Sequence, residues 1–337
     1  MNESFEFQSP LKESMVLYMK KCRQELADST FITRSRHIRD LDNFLISKGF
    51  HDGDTIDEPL ITEWLSCHNN LSSGSMRLLT NSVRLFLRFH SNLKNIWVYE
   101  PPLRSADDSY APYIFTDQEM EIIYEIVDNY RSGTRNALPY ISLEFPMVIR
   151  LLDTSGFRLN ELIRTRMTEV DLNNGTLKII NSKGNKQRLV PLEDGMTKML
   201  RNYCSKMCLH ENSSAYLFPR KTITEPLKIK DIDNRFLNVL VKAEIRGKRS
   251  TRRFAREACV HCLRHRFTMK AIQRLIALDI NLNDTVPYLS FYLGHSSITE
   301  TEIYMKFLSD FFPEELNKFA TSVSDLLPDE TVWNDWL

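Results

Sequence analysis

The 337-residue sequence lacks several patterns that would suggest a function directly. It has only ten glycines and contains neither a P-loop nor a glycine-rich dinucleotide fingerprint, so loops that cradle phosphates are scarce. No apolar run approaches the roughly 20 residues that a membrane span needs. The N-terminus has no basic region followed by an apolar one, as a secretory signal would. We therefore expect a cytoplasmic protein without membrane contact.

An excess of charge of one sign is also missing. The 44 basic and 44 acidic side chains give a formal net charge of zero, so bulk charge neither favours nor excludes nucleic acid. The distribution is uneven, because seven basic residues and one acid, Glu244, lie between Lys242 and Arg256. A solvated loop explains such a run as well as a DNA-binding surface does.

Metal ligands at suggestive spacings have simpler explanations. The pairs Cys204/Cys208 and Cys259/Cys262 could contribute to a zinc site, but helix packing accounts for both spacings. Reduced, mostly buried cysteines are the favoured interpretation. Three aspartate pairs could hold Mg²⁺, but none has a convincing third carboxylate or a phosphate-binding loop beside it: Asp40/Asp42, Asp52/Asp54 and Asp231/Asp233. We expect solvated acids, no metal and no cofactor.

The chain divides into two parts by pattern. Residues 1–97 show four amphipathic helical stretches with short connections, which predicts a small bundle. Residues 98–115 have the proline- and serine-containing composition of a linker. Thr116 can then cap a helix, with Glu119 completing a capping box. The pattern stays mostly helical to about residue 310, except for two β-rich runs joined by a tight turn at S-K-G-N-K.

Side chains that could cleave a phosphodiester are spread over the second part. They are Arg158, Lys183, His261, Arg264, His295 and Tyr304. Each has an ordinary explanation alone, such as a helix arginine or a turn lysine. Helical spacing places His261 and Arg264 about 60° apart on one face, with His265 in the same arc and Leu263 and Phe267 turned to a core. In one straight helix, nine residues make about two and a half turns and would place His295 and Tyr304 on opposite sides. The two can share a site only if His295 precedes the helix or the chain turns between them.

The order Arg…Lys…His-x-x-Arg…His…Tyr resembles the tyrosine recombinase (phage integrase) family. The local contexts G-F-R-L-N-E-L, S-K-G-N-K-Q-R-L-V-P-L, H-C-L-R-H-R-F and L-G-H-S-S-I-T-E-T-E-I-Y are similar to the motifs of that family. The resemblance covers about residues 116–307 and departs from the family at none of the six positions. One departure is that residues before 9 leave no room for the arm-binding domain of some phage integrases. The basic stretch 242–256 is another, because the motif pattern does not fix its role.

The resemblance implies a fold that is mainly α with a small β-sheet. Residues 1–97 would form a four-helix core-binding (SAM-like) domain, and residues 98–115 an interdomain linker. Residues 116–310 would form an α+β catalytic domain. The apolar tail 311–337 would be exchanged between protomers.

The resemblance also implies a function: a site-specific recombinase or integrase that cuts and rejoins duplex DNA through a 3′-phosphotyrosine. The reaction would need neither metal nor ATP and would serve a mobile element. Arg158 and Arg264 would hold the scissile phosphate, and Tyr304 would attack it. His261 would accept or organise the phenol proton, since a free phenol has a pKa near 10.

The remaining residues take supporting roles on the same basis. His295 would bond the phosphate, Lys183 would protonate the leaving 5′ oxygen, and Glu161 and His265 would orient their neighbours. Basic residues on both parts would contact DNA phosphates. The candidates are Lys186, Arg188, Arg246, Lys248, Arg249, Arg252, Arg253, Arg84 and Arg88.

The expected partner is double-stranded DNA with inverted-repeat core sites. The protein would bind two such sites as a homo-tetramer, would be a monomer or weak dimer when free, and could use an accessory factor. Two alternatives remain open at this point. One is a type IB topoisomerase that relaxes DNA by the same chemistry, and the other is a non-catalytic DNA-binding protein on the same scaffold.

Overall fold

The computed structural model describes residues 6–103, 112–131, 138–180, 187–210, 213–246, 257–278, 280, 282–294 and 304, without the side chains of 282–285. Contacts between residues divide the chain into two compact units, Met1–Tyr110 and Ala111–Leu337. Each unit has its own buried apolar cluster.

The first unit contains four helices, as predicted for this part of the chain. They are α1 (Lys12–Glu25), α2 (Asp28–Ser47), α3 (Glu58–Ser66) and α4 (Ser73–Lys94). Each contributes at least one fully buried side chain to a shared core, among them Met15, Ile38, Trp64 and Phe86. Asp42, which we expected to be solvated, is instead buried, because its carboxylate accepts the backbone N–H groups of Gln8 and Ser9 at 3.0 Å.

Residues at the start of the predicted linker pack against this bundle. Val98 is buried in the first core, and the N–H of Tyr99 donates to the carbonyl of Ile56 at 2.9 Å. The carboxylate of Glu100 accepts from Arg88 on α4 at 2.6 Å. The backbone of this segment is therefore held by the bundle up to at least Glu100.

The second unit is built from seven described helices. They are α5 (Asp117–Asp128), α6 (Ile141–Ser155), α7 (Leu159–Ile163), α8 (Asp194–Lys206), α9 (Ile229–Lys242), α10 (His261–Ala277) and α11 (Leu282–Leu293). The predicted capping box opens α5, since Glu119 N–H donates to Thr116 Oγ1 at 3.2 Å and the Thr116 N–H donates to the Glu119 carboxylate at 2.8 Å.

A three-stranded antiparallel sheet interrupts these helices. Its strands are β1 (Val170–Asp171), β2 (Thr176–Ile179) and β3 (Arg188–Pro191), in the order β1-β2-β3. The β2–β3 pair is the predicted hairpin, while β1 was not anticipated because two residues carry no periodicity. Leu177 lies opposite Val190 and Ile179 opposite Arg188, and all four side chains face inward.

Helix α10 of the second unit packs against both α6 and α11. Its sequence predicted one packed face and one polar face. In the structure Arg264 and His265 are buried as well, and Arg266 is buried with two bonds to the Asp153 carboxylate. Much of the polar face of α10 is thus an internal surface, on which the charge of Arg266 is neutralised by carboxylates of α5 and α6.

The fold class is as predicted, mainly helical with one small sheet. In the described part of the chain, none of the helices is both long and apolar enough to cross a membrane.

One carboxyl is buried without hydrogen bonds among the described residues. Glu144 on α6 is fully buried, and neither of its carboxyl oxygens has a hydrogen-bond partner among the described residues. Burial, followed by the nearby charge of Asp231, raises the pKa of Glu144 from 4.5 to about 9. The carboxyl is therefore neutral in the folded protein at pH 7, although it ionises in the unfolded chain.

This shift predicts that Glu144→Gln stabilises the protein increasingly as pH rises. A raised carboxyl pKa costs folding nothing below the unfolded value and progressively more above it, on the order of 2–3 kcal/mol by pH 7. Urea unfolding at pH 5 and pH 8 measures the effect, with the exposed Glu121→Gln as control. A Glu144→Gln variant no more stable than wild type at pH 8 would contradict the assignment.

Candidate active site

A tight turn at the end of α6 sets the position of Arg158. Gly156 ends the helix with a φ of +62°. A Cβ there would lie 2.3 Å from the ring of Phe267 on α10, so glycine is required by both backbone angle and space. Arg158 follows in an extended conformation and is the N-cap residue of the next helix, α7.

One buried carboxylate bridges two guanidinium groups. Arg158 Nη1 donates to Glu161 Oε1 at 2.9 Å, and Arg188 Nη2 donates to Glu161 Oε2 at 2.6 Å. The other end of Arg158 donates from Nη2 to the carbonyl of Gly294 at 2.8 Å. The predicted support of Arg158 by Glu161 is thus a direct contact, and it extends to a strand of the sheet.

Arg264 links the ends of two helices. From α10, its Nη1 donates to the carbonyl of Gly156 at 2.7 Å and its Nη2 to the carbonyl of Leu293 at 2.8 Å. Only 2% of the residue is exposed. The carbonyls at the ends of α6 and α11 have few intrahelical partners, so this guanidinium satisfies groups that would otherwise be left unpaired.

These groups make the site electropositive. Burial and then the charge of Arg158 lower the pKa of Arg264 to about 9, while Glu161 and Tyr304 act in the opposite direction. Burial raises the pKa of Glu161, but bonds from Arg188 and Arg158 outweigh it and hold that pKa below its usual value. One carboxylate, bonded to two of the guanidiniums, thus serves a group of three, and an anion would relieve their mutual repulsion.

The predicted nucleophile lies against His265 of α10, which in turn contacts His261. Tyr304 is 3% exposed, and its hydroxyl is 2.6 Å from Nδ1 of His265. The ring of His261, which is exposed, packs edge-on against His265 with ring centroids 4.7 Å apart. Tyr304 belongs to one buried apolar cluster with Met269, Leu289 and further residues of α10 and α11.

Other predicted residues fall outside the described part of the chain. They are Lys183, His295, Lys186, Lys248, Arg249, Arg252, Arg253 and the tail 311–337. Of the described DNA-contact candidates, Arg84 and Arg88 both pair with Glu100. Arg246 donates to the carbonyl of Ala258 at 2.9 Å and pairs with Glu257 at 2.5 Å.

Arg188 was expected from sequence to contact DNA, but the structure places it inside the site. The residue is 7% exposed, and its Nε and Nη1 have no hydrogen-bond partner in the described part of the protein. A Cβ on Gly294 would lie 2.7 Å from Arg188 Nη1, so the two groups are close. The period of two in β3 carried this information, because it places Arg188 on the same face as the buried Val190.

The site residues that the structure describes offer no preformed metal centre. Among the described residues, no group of three or more histidine, cysteine, aspartate or glutamate side chains could hold a metal ion. All six cysteines are free thiols.

Comparison with known proteins gives the family. Residues 114–309, which contain the arginine cluster and Tyr304, match the model of the phage integrase family. This match covers more than half of the chain. The protein therefore belongs to the phage integrase family, which confirms the resemblance carried by the motifs.

Individual relatives share about a quarter to a third of their residues with this chain over the aligned part. The chain is 30% identical over 166 residues to tyrosine recombinase XerC of Chlorobaculum parvum, covering 47% of this chain and 43% of that protein. It is 24% identical over 249 residues to tyrosine recombinase XerA of Thermococcus kodakarensis, covering 71% and 72%. The chain spans about half the length of several curated relatives it matches.

Solved structures share the fold. The XerH site-specific recombinase bound to a palindromic difH substrate aligns with a TM-score of 0.67 and 19% identity, over 91% of this chain and 83% of that one. A lambda integrase dimer bound to a COC′ core site aligns with a TM-score of 0.62 and 16% identity, over 87% and 94%.

The bridging carboxylate yields a stability prediction. Glu161→Gln should lower the free energy of unfolding by about 3 kcal/mol at pH 7, because it leaves the buried guanidinium of Arg188 and the part-buried one of Arg158 without their counter-charge. The penalty should shrink on acidification, since the stability from a depressed carboxyl pKa is lost as pH falls through that pKa. Urea unfolding monitored by circular dichroism measures both effects.

The matched control is Glu225→Gln, which removes a more exposed carboxylate 3.2 Å from Arg220. Its cost should stay below about 1 kcal/mol, because water screens such pairs. Equal costs for the two variants would show that the bridge at Glu161 contributes no more stability than an exposed ion pair does.

Proposed function

We propose that this protein is a site-specific DNA strand transferase that cuts and rejoins duplex DNA through a covalent bond between Tyr304 and the 3′ phosphate. The observation that carries the proposal is the position of the Tyr304 hydroxyl, 2.6 Å from His265 on the helix that also bears Arg264. Membership of the phage integrase family supports the same chemistry.

The arginine cluster supplies the charge that phosphoryl transfer needs. Arg158 and Arg264 would donate to the non-bridging oxygens of the scissile phosphate and stabilise the additional charge of the transition state. Their present hydrogen bonds to the carbonyls of Gly294, Gly156 and Leu293 hold the two guanidiniums at fixed positions. Arg188 would act as a positioning residue, because it holds Glu161, which in turn holds Arg158.

Proton transfer completes the step. The phenolic oxygen of Tyr304 attacks phosphorus, its proton passes to Nδ1 of His265, and the bond from phosphorus to the 5′ oxygen breaks. His261, whose ring contacts that of His265, would help to accommodate the proton on His265. Lys183 would protonate the leaving 5′ oxygen and His295 would bond the phosphate, as the family resemblance implies.

The covalent intermediate conserves the energy of the broken bond, so a 5′ hydroxyl from a second strand can reverse the step without ATP or divalent metal. Recombination between two inverted-repeat core sites would use four subunits, linked by exchange of the tail 311–337. Similar structures include a recombinase bound to a difH substrate and a transposon integrase bound to transposon right end DNA, which supports a DNA partner and a mobile element. We place this reaction in the cytoplasm.

Covalent capture tests the proposal even while the DNA site is unidentified. Full-length protein is incubated with nicked duplexes of randomised sequence, and adducts that survive detergent are isolated and sequenced. We expect adducts that share an inverted repeat and that form equally well in EDTA. Tyr304→Phe should reduce their yield on the order of 10³-fold or more, because it removes the nucleophile.

The control is Tyr216→Phe, whose hydroxyl lies beside Arg166 outside the site and whose loss should leave the yield unchanged. Adducts that persist in the Tyr304→Phe variant, or that require magnesium, would overturn the proposal. Relaxation of plasmids that lack any captured sequence would instead indicate a type IB topoisomerase.

The role of His265 generates a separate prediction. His265→Gln should slow adduct formation on the captured duplex on the order of 10²-fold, because the phenol loses the acceptor for its proton. His261→Gln, one ring farther from the hydroxyl, should have the smaller effect. Single-turnover rates of both variants measure this, and a larger loss for the His261 variant would move the proton acceptor to that residue.

A further inference from the structure

Two cysteines meet at the start of α10, in the sequence Cys259-Val260-His261-Cys262. Their Sγ atoms are 3.7 Å apart. Cys259, just outside the helix, is part-exposed, whereas Cys262, in its first turn, is buried. Cys259 is thus the more accessible residue of the pair, and Cys262 lies beside it but is shielded from solvent.

The surroundings polarise the two thiols in opposite directions. The hydrogen bond from Cys262, with smaller contributions from the backbone N–H groups of His261 and Cys262, lowers the pKa of Cys259 to about 6, against burial and the charge of Asp233. The bond to Cys259 and burial raise the pKa of Cys262, despite the nearby charge of Arg246. Cys259 is therefore the more readily ionised thiol of the pair, and Cys262 the one that keeps its proton longer.

We propose that this pair is a modification site, in which Cys259 reacts with low-molecular-weight disulfides such as oxidised glutathione and Cys262 resolves the product to an internal disulfide. The Cys259 thiolate attacks one sulfur of the reagent, a bond to Cys259 forms, and the first thiolate leaves. Cys262 then loses its proton and attacks the Cys259 sulfur, releasing the second thiol. The reagent is reduced by two electrons and the pair is oxidised by two.

The geometry favours a disulfide over a metal at this position. Zinc requires about four ligands, and no third histidine, cysteine, aspartate or glutamate completes a cluster with this pair among the described residues. A disulfide needs only the two sulfurs to approach from 3.7 Å to bonding distance, about 2 Å. One part-exposed thiolate beside a buried thiol at a helix start is the arrangement of reactive Cys-x-x-Cys pairs.

The site lies beside the candidate active site but does not depend on it. His261 is located between the two cysteines in the sequence, and Arg264 and His265 follow one turn later on the same helix. A disulfide would fix the first turn of α10 at the residue whose ring contacts His265. The proposal concerns thiol chemistry alone, so it stands or falls separately from DNA cleavage.

Peptide mapping tests the proposal directly. Trypsin releases residues 257–264 as one peptide, E-A-C-V-H-C-L-R, which contains both thiols and no other cysteine. The reduced full-length protein is treated with oxidised glutathione, its remaining thiols are alkylated, and the digest is analysed by mass spectrometry. We expect this peptide to lose two hydrogens about tenfold faster than the exposed Cys67 or Cys208 acquires glutathione.

Two variants assign the steps. Cys262→Ser should accumulate glutathione on Cys259, because no resolving thiol remains, whereas Cys259→Ser should leave Cys262 unmodified. The selectivity should vanish in urea-unfolded protein, which shows that the fold creates it. The proposal is overturned if the wild-type peptide stays reduced while Cys67 or Cys208 reacts, or if the Cys262→Ser variant shows no preference for Cys259.

Discussion

The guanidinium of Arg264 donates to the carbonyl oxygens of Gly156 and Leu293, and the geometry of the site depends on these two bonds. They join the end of α6, the first turn of α10 and the end of α11 at one buried point. Arg158 follows Gly156 by two residues and bonds the next carbonyl, that of Gly294. Two arginines far apart in sequence are thus fixed against the same stretch of backbone.

A cost accompanies this arrangement. Buried guanidiniums repel one another and are poorly hydrated, so Glu161 is needed between Arg158 and Arg188. The single carboxylate of Glu161 does not balance the charge of the three arginines, so the site keeps an excess of positive charge. That excess is unfavourable for the empty protein and favourable for a bound phosphate, which links the energetics of the fold to the proposed chemistry.

The sequence predicted the parts of this protein that local rules control. Helices with clear periodicity, the capping box at Thr116 and the β2–β3 hairpin all follow from spacing and cap chemistry. Burial of charged residues was not predictable in the same way. Arg188 was expected to contact DNA and Asp42 to be solvated, but their partners, Glu161 and the N–H groups of Gln8 and Ser9, are distant in sequence.

Motif order succeeded where single residues were ambiguous. Arg158, Arg264 and Tyr304 each have ordinary explanations alone, and only their joint pattern pointed to one site. The sequence analysis assigned the phenol proton to His261 and gave His265 a supporting role, although both lie in one helical arc. In the structure His265 is turned inward and its Nδ1 lies 2.6 Å from the Tyr304 hydroxyl, so we propose His265 as the proton acceptor instead.

The central claim is that Tyr304 itself becomes joined to DNA, and mapping the linked residue tests it most directly. Trypsin releases residues 275–306 as one peptide that carries Tyr288, Tyr292 and Tyr304. After nuclease trimming of a captured adduct, fragmentation of this peptide should locate the remaining nucleotide on Tyr304 through a phosphate ester. A nucleotide on Tyr288, on Tyr292 or on any other peptide would contradict the account.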